Sequence, residues 1–310
     1  YIKSLQKQFE VTDKSHHEIM DEIFNADSKI RSEILELSDK LSEFIKLQNS
    51  IYDDKSREIS FLKYSVGNGF NMVLQDLFSL LFVIYEDNRE TLKTLANIFK
   101  GKIIDDSFQF NEAALSFMDK EISAKLLSIK EEFNLQLRKI RKNDNKSVII
   151  SLLKHQDVEI ATAALLCART NPSEYLGETN LDWFALSNNY DVNELLQKIL
   201  YQTQELTTYE KMMYLNSIPL FHNIKSHDLK LLGKATKVKK FPPNEYVIKQ
   251  GGVGDTLFII IEGKARVEMN NKKRGLLTDK DYFGDIAIVG DIKRTVSVKT
   301  IESLTALTIS

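Results

Sequence analysis

Asp281-Tyr-Phe-Gly-Asp-Ile-Ala-Ile-Val-Gly-Asp-Ile-Lys-Arg-Thr-Val-Ser-Val298 starts at a strand end, turns through Gly284, makes one short helical turn, reaches Arg294 and returns to an alternating strand. Gly284 lets backbone approach a ligand with no side chain in the way. The N–H groups of Asp285, Ile286 and Ala287 open the helical turn and can point at one anion. Arg294 adds a planar fork of donors suited to a phosphate. Asp285 repels phosphate, but its carboxylate can accept hydrogen bonds from sugar hydroxyls. An anion and a hydroxylated sugar held by adjacent residues suggest a small nucleotide.

Phe283-Gly-Asp-Ile-Ala-Ile followed by Arg294-Thr-Val-Ser-Val resembles the phosphate-binding cassette of cyclic nucleotide-binding domains. The acidic residue and the arginine are nine positions apart, as in that family. Upstream, Gly254-Asp-Thr-Leu-Phe-Ile-Ile-Ile-Glu-Gly263 resembles the family's other signature, a Gly-Asp turn, a strand and a Gly turn. The resemblance covers residues 206–310 and implies a β-roll of jelly-roll type that binds cAMP or cGMP. It implies ligand contacts at Phe283, Gly284, Asp285, Ile286, Ala287, Arg294 and Thr295. Where this chain has Asp285 the family usually has Glu, and the shorter side chain reduces the reach to the ribose. Thr295 beside the arginine suits a guanine amino group and equally a β-branched strand position, so cAMP versus cGMP stays open. In the family a helix after the roll covers the ligand; the sequence ends at Ser310 without it.

Outward from the cassette, short strands are expected at Tyr246–Lys249, Leu257–Glu262, Ala265–Met269, Gly275–Thr278, Thr295–Thr300 and Leu304–Ile309. Thr207-Thr-Tyr-Glu210 reads as a capping box opening a helix with Met212, Met213 and Leu215. Ile218-Pro-Leu-Phe221 ends that helix, and Ser226 is expected to cap the next. Lys234, Lys237, Lys239 and Lys240 form a basic run that at strand spacing marks an exposed edge rather than a nucleic-acid patch.

All four prolines lie beyond residue 170 and most glycines beyond 230, which separates a helical N-terminal half from a turn-rich remainder. Residues 16–50 read as a polar helix with Ile30, Ile34, Leu37, Leu41 and Phe44 on one seam. The seam lasts about two heptads, so a bundle helix is favoured over a coiled coil. Residues 57–86 read as a buried helix, apolar near Val73, Leu74, Leu77, Phe78, Leu81 and Ile84. Another helix runs to Phe99 with Gly101 as its cap. A pair follows from about 110 to 142, with Leu115, Met118, Ile122, Leu126, Leu127 and Phe133 inward. Ser147 to Ala168 reads as helix, turn and small-residue helix, which resembles a HEAT repeat; that likeness is confined to one or two units. Short helices carrying Trp183 and then Leu195, Leu196 and Ile199 complete the region. The expected organisation is a helical stack over 1–142, HEAT-like helices over 143–205 and the roll over 206–310: an all-α part followed by a β-roll.

A formal net charge of −2 over 310 residues gives no global field toward nucleic acid or acidic lipid. The single cysteine, Cys167, forms no internal disulfide, which points to a reducing, cytoplasmic setting. The longest uncharged apolar run, Leu77 to Tyr85, is far short of the ~20 residues that span a bilayer. No signal peptide is visible, and both ends, a first residue other than Met and a last one inside a strand, suggest a fragment. The order of helices and roll resembles the soluble tail of bacterial proteins that join a major-facilitator-type transporter to such domains, and Asn111 to Asp119 matches a helix motif found there. His16-His17 point apart on a helix and hold no metal; His222 and His227 flank a turn. No catalytic pair, P-loop or kinase motif set is present. The sequence therefore reads as a regulatory module that senses a cyclic nucleotide and signals through its helices to a protein partner, without catalysis, cofactor or metal. The competing reading is an interaction scaffold whose roll keeps the fold and binds nothing.

Overall fold

The computed structural model describes residues 16–52, 55–100, 114–136, 145–176, 190–201, 205–285 and 293–310. Contacts divide the chain into two units, Tyr1–Tyr52 with Val66–Asn145, and Asp53–Ser65 with Lys146–Ser310.

In the first unit, α1 (His16–Ser50) buries Ile34, Ser38, Leu41 and Ile45, a four–three–four spacing that puts one stripe inward. Ser38 satisfies its hydroxyl by donating to the Ile34 carbonyl at 2.7 Å. This face packs on α4 (Lys120–Gln136), which contributes Ile122, Leu126 and Ile129. Leu115 and Met118 are also buried, and Leu127 is half-buried. The Phe133 side chain, Gly101 and most of the expected 110–142 pair outside α4 lie beyond the described residues.

The helix α2 (Arg57–Ile84) is the one described helix long and apolar enough to cross a membrane by length and composition. It buries Ile59, Phe61, Leu62, Ser65, Val66, Phe70, Leu74, Leu77, Phe78 and Leu81, while Met72 and Val83 face solvent. Of the residues expected inside, Leu74, Leu77, Phe78 and Leu81 are buried, and Val73 and Ile84 are half-buried. A short 3₁₀ turn at Glu86–Asn88 separates it from α3 (Arg89–Phe99), which buries Leu92, Leu95, Ala96 and Phe99.

In the second unit, α5 (Asn145–Leu152) turns into α6 (Val158–Ala168). Asp157 caps α6 by accepting from the N–H groups of Glu159 and Ile160, and Ile160 through Ala168 are all buried. Next come α7 (Pro172–Leu176) and α8 (Tyr190–Tyr201), which buries Val192, Leu195 and Leu196; Trp183 lies outside the described residues. The Thr207–Glu210 capping box is present and opens α9 (Thr208–Asn216). Glu210 is fully buried, and Arg169 and Lys198 both donate to it, the latter at 2.7 Å. One carboxylate thus caps its own helix and ties the C-terminal end of α6 to α8. After a 3₁₀ turn at Pro219–Phe221, α10 (Ser226–Ala235) begins. Its N-cap is Lys225, without a side-chain bond. Ser226 is the first helical residue, and its hydroxyl donates to Glu159 at 2.6 Å; the expected serine cap is corrected, because α6 competes for that hydroxyl.

The roll has strands β1 (Lys237–Phe241), β2 (Tyr246–Ile248), β3 (Leu257–Glu262), β4 (Ala265–Met269), β5 (Lys272–Leu277), β6 (Tyr282–Phe283), β7 (Ser297–Thr300) and β8 (Leu304–Ile309). They form two four-stranded antiparallel sheets, ordered β1-β8-β3-β6 and β2-β7-β4-β5. Phe258, Ile260, Phe283, Leu304 and Ala306 from the first sheet share a core with Ile248, Ala265 and Val298 from the second. On β3, Leu257 and Ile259 are buried as well, because α9 packs against that strand. Of the basic run, Lys237, Lys239 and Lys240 are exposed on β1, an edge strand, while Lys234 lies in the last turn of α10.

Replacing Glu210 by Ala leaves two partly buried cations facing each other. The expected loss is about 3 kcal/mol or more, read as a lowered urea midpoint, with Glu210→Gln intermediate because it can still accept from Thr207.

Candidate functional site

The site is built where β6 ends. Phe283 stacks on Phe258 with ring centroids 4.9 Å apart and planes 8° apart, and the two residues are register partners between β6 and β3. That packing fixes the strand and delivers the next residue, Gly284, at φ +89. A Cβ there would come within 2.5 Å of the Thr256 carbonyl oxygen and 2.7 Å of an Arg294 guanidinium nitrogen. Only glycine fits, for both conformation and space.

Arg294 is 8% exposed. One Nη donates to the Gly284 carbonyl at 3.0 Å and the other to the Thr256 carbonyl at 2.9 Å. Its backbone is pinned as well: the Arg294 N–H donates to the Gly252 carbonyl, and its carbonyl accepts from the Gly251 N–H, both at 2.8 Å. Gly254 lies against the guanidinium so closely that a Cβ there would be 3.1 Å from a terminal nitrogen. Among the described residues no carboxylate pairs with Arg294.

Beside this arginine is a cavity of about 190 Å³. Its floor includes Ile248, Val267 and Val298, and its rim carries Asp285, Lys293 and Thr295. Asp285 and Thr295 are exposed. Of the residues expected to contact a ligand, Gly284, Asp285, Arg294 and Thr295 line this cavity together; Phe283 also lines it while most of its ring is taken up by the core. Ile286 and Ala287 lie outside the described residues. Sequence reasoning did not assign Thr256 or the Gly251-Gly252 turn to the site. The Gly254-Asp-Thr motif is the available signal, since the arginine meets the Thr256 carbonyl and packs against Gly254.

The arrangement is a buried, planar cation with apolar support on one side and an exposed carboxylate on the rim. It is suited to holding an anion that also carries hydroxyl groups. The cavity brings no nucleophile and general base together among the described residues.

The family model of the cyclic nucleotide-binding domain matches residues 238–310. A cGMP-dependent protein kinase of Toxoplasma gondii is 35% identical over 88 residues, which are 28% of this chain and 9% of that protein. A cAMP-dependent protein kinase regulatory subunit of Emericella nidulans is 32% identical over 88 residues, 28% of this chain and 21% of that protein. Among solved structures, a cAMP-bound PfPKA-R aligns at a TM-score of 0.32 and 24% identity, covering 33% of this chain and 36% of that one. The chain thus spans from 9% to 21% of the length of these curated relatives. Its C-terminal part is a domain of the cyclic nucleotide-binding class, preceded by a helical region.

Gly284→Ala is expected to destabilise the protein by about 1–3 kcal/mol, the scale of a non-glycine residue held at a forbidden φ. Thermal denaturation followed by circular dichroism measures it, and a midpoint equal to the parent's would remove the geometric requirement argued for this turn.

Proposed function

We propose that the C-terminal domain binds a cyclic nucleotide, cAMP or cGMP, and passes its state through the helices that precede the roll to a protein partner. The observation that carries this reading is Arg294, a nearly buried cation whose described partners are two neutral carbonyls. A buried charge costs several kcal/mol unless paired. Hydrogen bonds from a charged donor offset about 1.5–3 kcal/mol each, and an anion in the cavity would supply the remaining compensation. In this reading the cyclic phosphate meets Arg294 and the amides after Gly284, Asp285 accepts from the ribose hydroxyl, and Thr295 sits near the base. The ligand is bound and released unchanged. α9 packs against β3, so movement of the roll has a direct mechanical route into the helices.

One observation favours the second reading, a roll that serves as scaffold without ligand. The cavity of about 190 Å³ is below the ~300–1,000 Å³ usual for small-molecule pockets.

Isothermal titration with cAMP and with cGMP decides between the two. Saturable binding is expected, weakened at least about 100-fold in Arg294→Lys, which keeps the charge and loses the planar fork. Silence with both nucleotides in a folded protein would leave the scaffold. Equal affinity in parent and Arg294→Lys would show that a ligand binds elsewhere.

A further inference from the structure

Arg57, the first residue of α2, lies 222 positions from Asp279 in the chain, yet the two form an ion pair. The Arg57 side chain is only 11% exposed, and its guanidinium carbon lies 4.5 Å from the centroid of the Tyr214 ring. Tyr214 is on α9, and Asp279 is in the turn that joins β5 to β6. That turn is tightly determined. Asp281 accepts from the Thr278 N–H through its carboxylate at 2.7 Å, its own N–H donates to the Thr278 carbonyl at 3.0 Å, and its carbonyl accepts from the Ile260 N–H at 2.9 Å. The next residues are Tyr282 and Phe283 of β6, then Gly284, whose carbonyl Arg294 holds. A second anchor lies two helical turns along α2, where the Tyr64 hydroxyl donates to the Ile224 carbonyl at 2.7 Å. Contacts accordingly place Asp53–Ser65 in the same unit as the roll, although the residues on either side of that segment belong to the other unit.

We infer that the first turns of α2 are a strap on the cyclic nucleotide-binding domain, and that Arg57 is a positioning residue for its site, acting through Asp279 on the turn that sets β6 and Gly284. This rests on the reading of the Arg294 cavity as the nucleotide site. The Tyr214 ring already restricts the Arg57 side chain, so pairing with Asp279 freezes little additional rotamer freedom. A turn held by a fixed cation presents Gly284 to a ligand with less ordering left to do at the moment of binding. The coupling is reciprocal: whatever factor the strap adds to nucleotide affinity, the nucleotide adds to the strap. Because α2 runs on to Ile84, the strap gives the site a connection to a helix of 28 residues.

The test uses the whole chain as parent, Asp279→Asn, Arg57→Gln and the double variant, at a temperature where circular dichroism shows all four folded. Titration with cAMP and cGMP is combined with amide hydrogen exchange over residues 57–65, with and without nucleotide. Each single variant is expected to bind about three- to fivefold more weakly, the range a well-oriented, partly exposed ion pair supports. The double variant should be no weaker than the worse single, because both remove the same contact. Nucleotide should slow exchange over 57–65 in the parent and not in Asp279→Asn, a response that a merely stabilising contact would not give. Parent-like affinity in both single variants, or equal ligand protection in Asp279→Asn, overturns the positioning role and leaves the nucleotide reading standing. A parent that binds neither nucleotide overturns the reading of the site and the coupling with it.

Discussion

Burying one guanidinium is the constraint around which the roll is arranged. Arg294 sits at the edge of the apolar core, and a cation there must find acceptors without the help of water. It finds them in the carbonyls of Thr256 and Gly284, which belong to loops about thirty residues apart in sequence. Two motifs that look independent along the chain, one around Gly254-Asp-Thr and one around Gly284-Asp, are therefore a single structure in space. The glycines follow from the same demand, since side chains at 254 or 284 would occupy the volume the guanidinium needs. Phe283 and Phe258 then lock β6 to β3, so that the Gly284 carbonyl is held where the arginine can reach it.

A second buried charge organises the helices beside the roll. Glu210 has no exposed surface, and it accepts from the Thr207 backbone at 2.7 Å and from Lys198 and Arg169. Ion pairs of this kind contribute little net stability against an apolar alternative, because desolvation offsets their attraction. What the carboxylate does in this arrangement is join α6, α8 and α9, since all three place a donor on it. That docking lays α9 over Leu257 and Ile259, which is why β3 is buried on both faces where a two-sheet roll alone would cover one.

These features differ in how far the sequence could reveal them. β3, β4 and β8 run over the residues expected, since each is a short apolar or alternating stretch bounded by glycine, asparagine or serine turns. The capping box at Thr207 was equally plain, because its reciprocal bonds span three residues. β1 is read only as an exposed basic edge without bounds, and β6 is not read as a strand. The first is a run of lysines with no buried alternation, and the second is two residues long. The cassette residues were legible as types at a spacing, but the acceptors of Arg294 were not, because nothing local ties residue 256 to residue 294. The Arg57–Asp279 pair is the extreme case: a single salt bridge across 222 positions leaves no periodicity or motif to notice. Ser226 shows the opposite error, a local rule applied correctly to a residue whose hydroxyl a neighbouring helix had claimed.

The way Arg294 is satisfied bears on how the domain works. A guanidinium has five N–H donors, and the Gly284 and Thr256 carbonyls use two of them. A phosphate would not have to break these bonds to engage the fork; it would add charge–charge attraction to a cation that neutral dipoles compensate only in part. The same two carbonyl bonds keep the arginine aimed at the cavity, so its orientation does not depend on a ligand arriving. A site assembled in this manner spends little binding energy on ordering the arginine, and more remains for moving the elements attached to it. Gly284 follows β6, β6 follows the turn at Asp279, and β3 lies under α9. On the proposed reading, displacement at the arginine would have two exits, one through the turn to Arg57 and one through the sheet to the helices, and both would begin at backbone atoms that the arginine itself holds.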